Sequence, residues 1–123
     1  MLGRHYVADL WHCTNLSLMQ DAVGLDQKCL ALLKAVGLTA VSSHWHAFPG
    51  ELSGVTGVVL LAESHLAIHT WPESGQVTLD IFVCNYRADN SQKAKQVLDV
   101  VCDFFKPAYV QTQCVARGAK VNE

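Results

Sequence analysis

Residues equipped for chemistry crowd into one apolar stretch of this sequence: Thr56, Glu63, Ser64, His65, His69, Thr70 and Glu73, with Cys84 further along. Glu63-Ser64-His65 interrupts two strongly apolar segments, so this polar tripeptide is either a tight turn or a site. Ordinary readings stand beside the chemical ones: His69 as a satisfied sheet histidine, Cys84 as a small core side chain, Glu73 as a solvated acid at a strand end. A metal centre is a further possibility to weigh. His44 and His46 share one face of a strand, as do His65 and His69, and four imidazoles could hold zinc. No carboxylate or cysteine stands at a familiar ligand spacing beside them, and no metal site is expected.

Hydrophobic periodicity outlines the elements that must position these residues. Residues 4–11 read as a strand, and about Asp21 to Val36 as a helix with apolar Val23, Leu25, Cys29, Leu32, Leu33 and Val36. Gly37 falls where a helix C-terminal glycine belongs. Residues 39–48, 55–62 and 65–71 read as strands, separated by turn residues at 49–54 and stopped by Pro72. Val77, Leu79, Ile81 and Val83 alternate with Thr78, Asp80, Phe82 and Cys84, the pattern of a strand with two unlike faces. Asp89-Asn90-Ser91 offers caps for a helix carrying Ala94, Val97, Leu98, Val101 and Phe105, which Pro107 ends, and residues 109–116 form a last strand. The order β-α-β-β-β-β-α-β predicts an α+β, two-layer sandwich: one antiparallel sheet with two helices on one face, in a single domain. The other face would stay open, and a second subunit is the obvious cover.

The string Ala62-Glu63-Ser64-His65-Leu66-Ala67-Ile68-His69-Thr70-Trp71-Pro72-Glu73 resembles the self-cleavage signature of the bacterial S-adenosylmethionine decarboxylase proenzyme family. Gly54-Val55-Thr56-Gly57-Val58-Val59, the opening Leu2-Gly3-Arg4-His5, the strand ending at Cys84 and the following helix also resemble that family, so the likeness runs over nearly the whole chain.

The resemblance implies that the chain cuts itself between Glu63 and Ser64, giving pieces 1–63 and 64–123 and turning Ser64 into a covalent pyruvoyl cofactor. A serine hydroxyl can attack its neighbouring carbonyl, exchanging the amide for an ester; elimination and hydrolysis then leave the pyruvoyl group. By resemblance His69 is the base for the serine α-proton, and the Thr56 hydroxyl, where many relatives have serine, would hydrogen-bond the processing intermediate. The pyruvoyl carbonyl would form a Schiff base with the substrate amine and act as an electron sink while the carboxylate leaves. Cys84 would reprotonate the substrate α-carbon. Glu73 would meet the substrate ribose, with Phe48 and Leu66 as apolar contacts to the adenine. The product would be the decarboxylated aminopropyl donor for spermidine biosynthesis. Family members act as dimers with the site at the interface, which implies a homodimer in which Ser64 works with His69, Thr56 and Phe48 of the partner subunit.

Three departures bear on substrate: Ser74-Gly75-Gln76-Val77-Thr78 replaces the frequent Tyr-Gly-Tyr-Ala-Ala, Asn85 replaces glycine after the cysteine, and the loop from Pro49 to Ser53 differs. The change from Ser74 to Thr78 motivates one alternative, a pyruvoyl-dependent ornithine or arginine decarboxylase; a second, of another class, is a non-catalytic regulatory homologue that keeps an intact chain.

Composition narrows the classes further. Half of the 123 residues are apolar, which excludes disorder. A formal charge of −2 with scattered basic residues speaks against a nucleic-acid partner. No apolar run reaches the ~18 residues of a membrane helix, and Met1 to His5 shows no secretion core, so no membrane partner is expected. Five cysteines without a CxxC pair suit free thiols in a reducing cytoplasm.

Overall fold

The computed structural model describes residues 1–86 and 88–118. Six strands and three helices follow the chain: β1 (Gly3–Trp11), α1 (Leu16–Met19), α2 (Ala22–Val36), β2 (Ala40–Ala47), β3 (Val55–Leu61), β4 (Ser64–Trp71), β5 (Gln76–Cys84), α3 (Ser91–Phe104) and β6 (Tyr109–Arg117). The strands make one sheet in the order β2-β3-β4-β5-β1-β6, with every neighbouring pair antiparallel. This is the expected α+β sandwich with one addition, the short helix α1. Its Asn15 cap accepts from the Leu18 amide, and Leu18 and Met19 pack into the core.

The longer helices form where local chemistry favours them. The Asp21 carboxylate caps α2 by accepting from the Gly24 amide at 2.9 Å. Gly37 ends that helix at φ 84°, a left-handed conformation that glycine adopts without a Cβ penalty. Before α3, the Ser91 amide donates to the Asp89 carboxylate at 2.9 Å.

Alternation divides the sheet into two faces. Ala8 and Leu10 of β1, Val55, Val59 and Leu61 of β3, Leu66 and Ile68 of β4, and Val77, Leu79, Ile81 and Val83 of β5 form one core with Leu25, Cys29 and Leu33 of α2 and Val97, Leu98 and Val101 of α3. Asp26 of α2 fixes that helix to β2 by accepting from the Trp45 indole at 2.8 Å and the Ser43 hydroxyl at 2.6 Å. Trp45 lies flat against Gly57, where any Cβ would overlap its ring. The opposite face carries His5, Thr56, His65, His69, Asp80 and Phe82, and no element of the described residues covers it. All five cysteines are free thiols, four of them buried and Cys114 exposed.

Candidate active site

The hairpin between β3 and β4 is as tight as a hairpin can be. Leu61 pairs with Ser64, leaving only Ala62 and Glu63 to turn the chain. Glu63 adopts φ 60°, a left-handed conformation that costs a non-glycine residue about 1–2 kcal/mol. The Glu63–Ser64 peptide bond therefore follows a strained residue at an exposed tip. Ser64 itself is half-buried, and its hydroxyl accepts from the Cys84 amide at 3.0 Å. Ser64 and Cys84 thus meet across the end of the sheet, beside a cavity of about 380 Å³ lined by Ala62, Glu63, Cys84, Tyr86, Ala88 and Asn90.

The strand end bearing Cys84 is held firmly. Asn85, the departure from glycine noted above, donates its main-chain amide to Leu2 and its side-chain amide to Ser91, while its side-chain carbonyl accepts from the Asn90 amide. Asn90 in turn donates to the Cys84 carbonyl at 3.3 Å. Cys84 is 8% exposed. Burial pushes the thiol of Cys13 up to about 11 and those of Cys29 and Cys102 up to about 12, which keeps these three protonated and inert.

A second group gathers toward the far end of β4. His69 and Thr56 are register partners on β4 and β3, and the threonine hydroxyl meets His69 Nδ1 at 3.0 Å. That contact orients the imidazole. Thr56 lies between two cavities. One, of about 520 Å³, is lined by Phe48, Glu51, Trp71 and Glu73; the other, of about 400 Å³, by His44, His46, Ala67 and His69. Phe48 and Glu73 are therefore brought together as the sequence suggests, with His46 packing edge-on to Phe48 at 4.7 Å.

Leu66 is a correction. It shares a parity with Ile68 and is 1% exposed in the helix-side core, so its side chain offers no apolar contact to a ligand on the open face. The four histidines of the zinc reading also separate: His44, His46 and His69 line one cavity, while His65 bonds elsewhere. Among the described residues, one group has ligand-type atoms all within 4.8 Å of one another: His5, His65 and Asp80. Both imidazoles meet Asp80 Oδ2 through Nε2 at 2.9 Å. The sequence does place Asp80 on the polar face of its strand, yet not β1 beside β5, which is what brings His5 to it.

Ser64 and His69 lie five residues apart on one extended strand, about 16 Å at ~3.3 Å per residue. The chain thus carries two separated groups: Ser64 and Cys84 beside the strained turn, and His69, Thr56, Glu73 and Phe48 toward the other end of the strand.

A helix-backed antiparallel sheet whose bare face holds such groups defines an α+β enzyme scaffold acting on a small organic substrate. The family model for S-adenosylmethionine decarboxylase matches residues 4–118, and the chain belongs to that family. A protein of Methanococcus maripaludis described as S-adenosylmethionine decarboxylase proenzyme is 34% identical over 117 residues, covering 95% of this chain and 90% of its own. A protein of Thermomicrobium roseum with the same description is 34% identical over 123 residues, covering 98% and 97%. The crystal structure of the adenosylmethionine decarboxylase from Aquifex aeolicus superposes with a TM-score of 0.84 at 33% identity, covering 99% of this chain and 95% of that one.

Proposed function

We propose that the chain decarboxylates S-adenosylmethionine after cutting itself between Glu63 and Ser64, with Ser64 becoming a pyruvoyl group on the piece 64–123. The family match over residues 4–118 favours this substrate over ornithine or arginine. One observation carries the cleavage reading: the Glu63–Ser64 bond follows a left-handed Glu63 in a two-residue turn, next to a serine hydroxyl anchored by the Cys84 amide. A main-chain donor from Cys84 aimed at the half-buried serine side chain fits a small carbonyl group formed there. Such a carbonyl supplies the electron sink that lets an α-amino acid lose its carboxylate.

The chain's own residues then divide the work. Glu63 presents the scissile carbonyl, and Cys84 returns a proton to the substrate α-carbon. His69, oriented by Thr56, removes the serine α-proton. At about 16 Å it is too far from its own Ser64, so a partner subunit supplies it. Leu60 and Trp71 stay exposed on the uncovered face, which supports burial against a second copy. In a two-fold dimer through that face, one copy's serine-and-thiol end completes the other's imidazole-and-cavity end, twice over. Phe48 and Glu73 then hold the adenine and ribose. The free thiols support work in the reducing cytoplasm, and no helix among the described residues is long and apolar enough to cross a membrane.

Denaturing mass spectrometry tests the cleavage directly. The expected result is two pieces, 1–63 and a blocked 64–123, and an intact chain for Ser64→Ala with no decarboxylation. An intact wild-type chain would sink the pyruvoyl reading and leave the regulatory homologue. For the shared site, mixing Cys84→Ala with Phe48→Ala protomers should restore about a quarter of wild-type activity, since half the dimers hold one intact site.

A further inference from the structure

The His5, Asp80 and His65 cluster has a wiring that decides its chemistry. Arg117 Nη1 of β6 donates to His5 Nδ1 at 2.9 Å, because a guanidinium has donors only. His5 must therefore carry its proton on Nε2 and donate to Asp80, which accepts from His65 Nε2–H on the same oxygen. A metal-bound imidazole instead needs a bare Nε2 and a second nitrogen that donates. The cluster is wired for hydrogen bonds. Its links run Arg117, His5, Asp80, His65, one residue from each of the adjacent strands β6, β1, β5 and β4. Phe82 lies alongside, 5.6 Å from the His5 ring and 6.0 Å from the His65 ring.

The ladder ends on His65, the residue directly after Ser64 and so the second one past the scissile bond. While the chain is intact, the two-residue turn tethers Ser64 to β3. Cleavage removes that tether and turns Ser64 into a chain end, where strands fray. We propose that the Arg117–His5–Asp80–His65 ladder clamps the first residues of β4 in register after cleavage, so that His65 positions the group formed at Ser64 against the Cys84 amide. The proposal rests on the self-cleavage reading. A displacement of about 1 Å at a reacting group can cost a hundredfold in rate, so a side-chain anchor one residue away has a large effect.

The test compares the cleaved wild type with His65→Leu, Asp80→Leu and His65→Gln, by hydrogen exchange at the amides of residues 65–67 and by steady-state kinetics. Both leucine variants should exchange there about tenfold faster, with α3 unchanged as the internal control. Their kcat should fall at least about tenfold with KM within a factor of about two. His65→Gln keeps an Nε2 donor and should recover most of both properties. Leucine variants with wild-type exchange and kcat overturn the clamp, as does a glutamine variant no better than leucine. If the leucine variants fail to fold or cleave, Arg117→Leu at the far end carries the test: faster exchange and lower kcat, by smaller factors, support the clamp, and no change overturns it. An uncleaved wild-type chain would remove the self-cleavage reading and this one together; a cleaved wild type with indifferent ladder variants removes only the clamp.

Discussion

Alternate residues of β4 meet two unlike environments. Leu66, Ile68 and Thr70 face the helices and are almost fully buried, while His65, Ala67 and His69 face a surface that no element among the described residues covers. The buried face is packed by the chain's own helices, and even its polar member is satisfied: the Thr70 hydroxyl donates to the Met19 carbonyl at 2.6 Å and accepts from the Val55 amide at 2.9 Å. The open face carries the imidazole of His69, while Ser64 stands at the other end of the strand with the parity of Leu66 and Ile68. If the proposed function holds, substitutions on the two sides of these strands should give different kinds of loss, of stability on the helix side and of turnover on the other.

The largest effect belongs to the open side. Cys84→Ala should leave a cleaved, folded protein whose kcat is down by roughly 10²–10⁴, the range for loss of a proton-transfer group. Fragment masses and thermal melting should match wild type, and normal turnover would return Cys84 to the role of a core residue. On the helix side, Ile68→Ala should do the reverse. It removes a fully buried side chain at a cost of about 2–5 kcal/mol, read by urea denaturation, while the folded fraction still turns over. An Ile68 variant that melts normally but loses kcat would break the division between the faces.

Alkali should act on the helix side as well. Burial holds Cys13 at about 11 and Cys29 and Cys102 at about 12, against an ordinary thiol value of 9.0. Between those values the folded chain keeps protons that the unfolded chain releases, so stability is full below about 9 and falls as pH rises toward 12. Denaturation midpoints across pH 8 to 11 would show it, and Cys29→Ala and Cys102→Ala should flatten the slope.

The division between faces was largely legible in the residues themselves. The alternation from Val77 to Cys84 separates apolar from polar positions, and Asp21 and Gly37 bracket α2 through capping chemistry that acts within a few residues. Helix α1 escaped because four residues are too few for periodicity to register. Leu66 was misplaced because a family likeness supplies a position and not a direction, although its parity with Ile68 already pointed inward. The His5–Asp80 contact spans 75 residues and depends on β1 entering the sheet between β5 and β6, a long-range pairing that no local pattern encodes.

Two threonines offer the finest test, because they are chemically alike and sit on opposite faces. Thr56→Val deletes the hydroxyl that orients His69 but leaves no buried group stranded, since the site is only half covered. Its expected cost is a several-fold to roughly tenfold slowing of self-cleavage, with a melting temperature close to wild type. Thr70→Val strands the Val55 amide and the Met19 carbonyl in the core and should cost about 1–3 kcal/mol of stability. Pulse–chase of the cleavage beside urea titration reads both quantities on both variants. If Thr56→Val loses stability and cleaves at the normal rate, the open face is as structural as the covered one, and His69 needs no orienting partner.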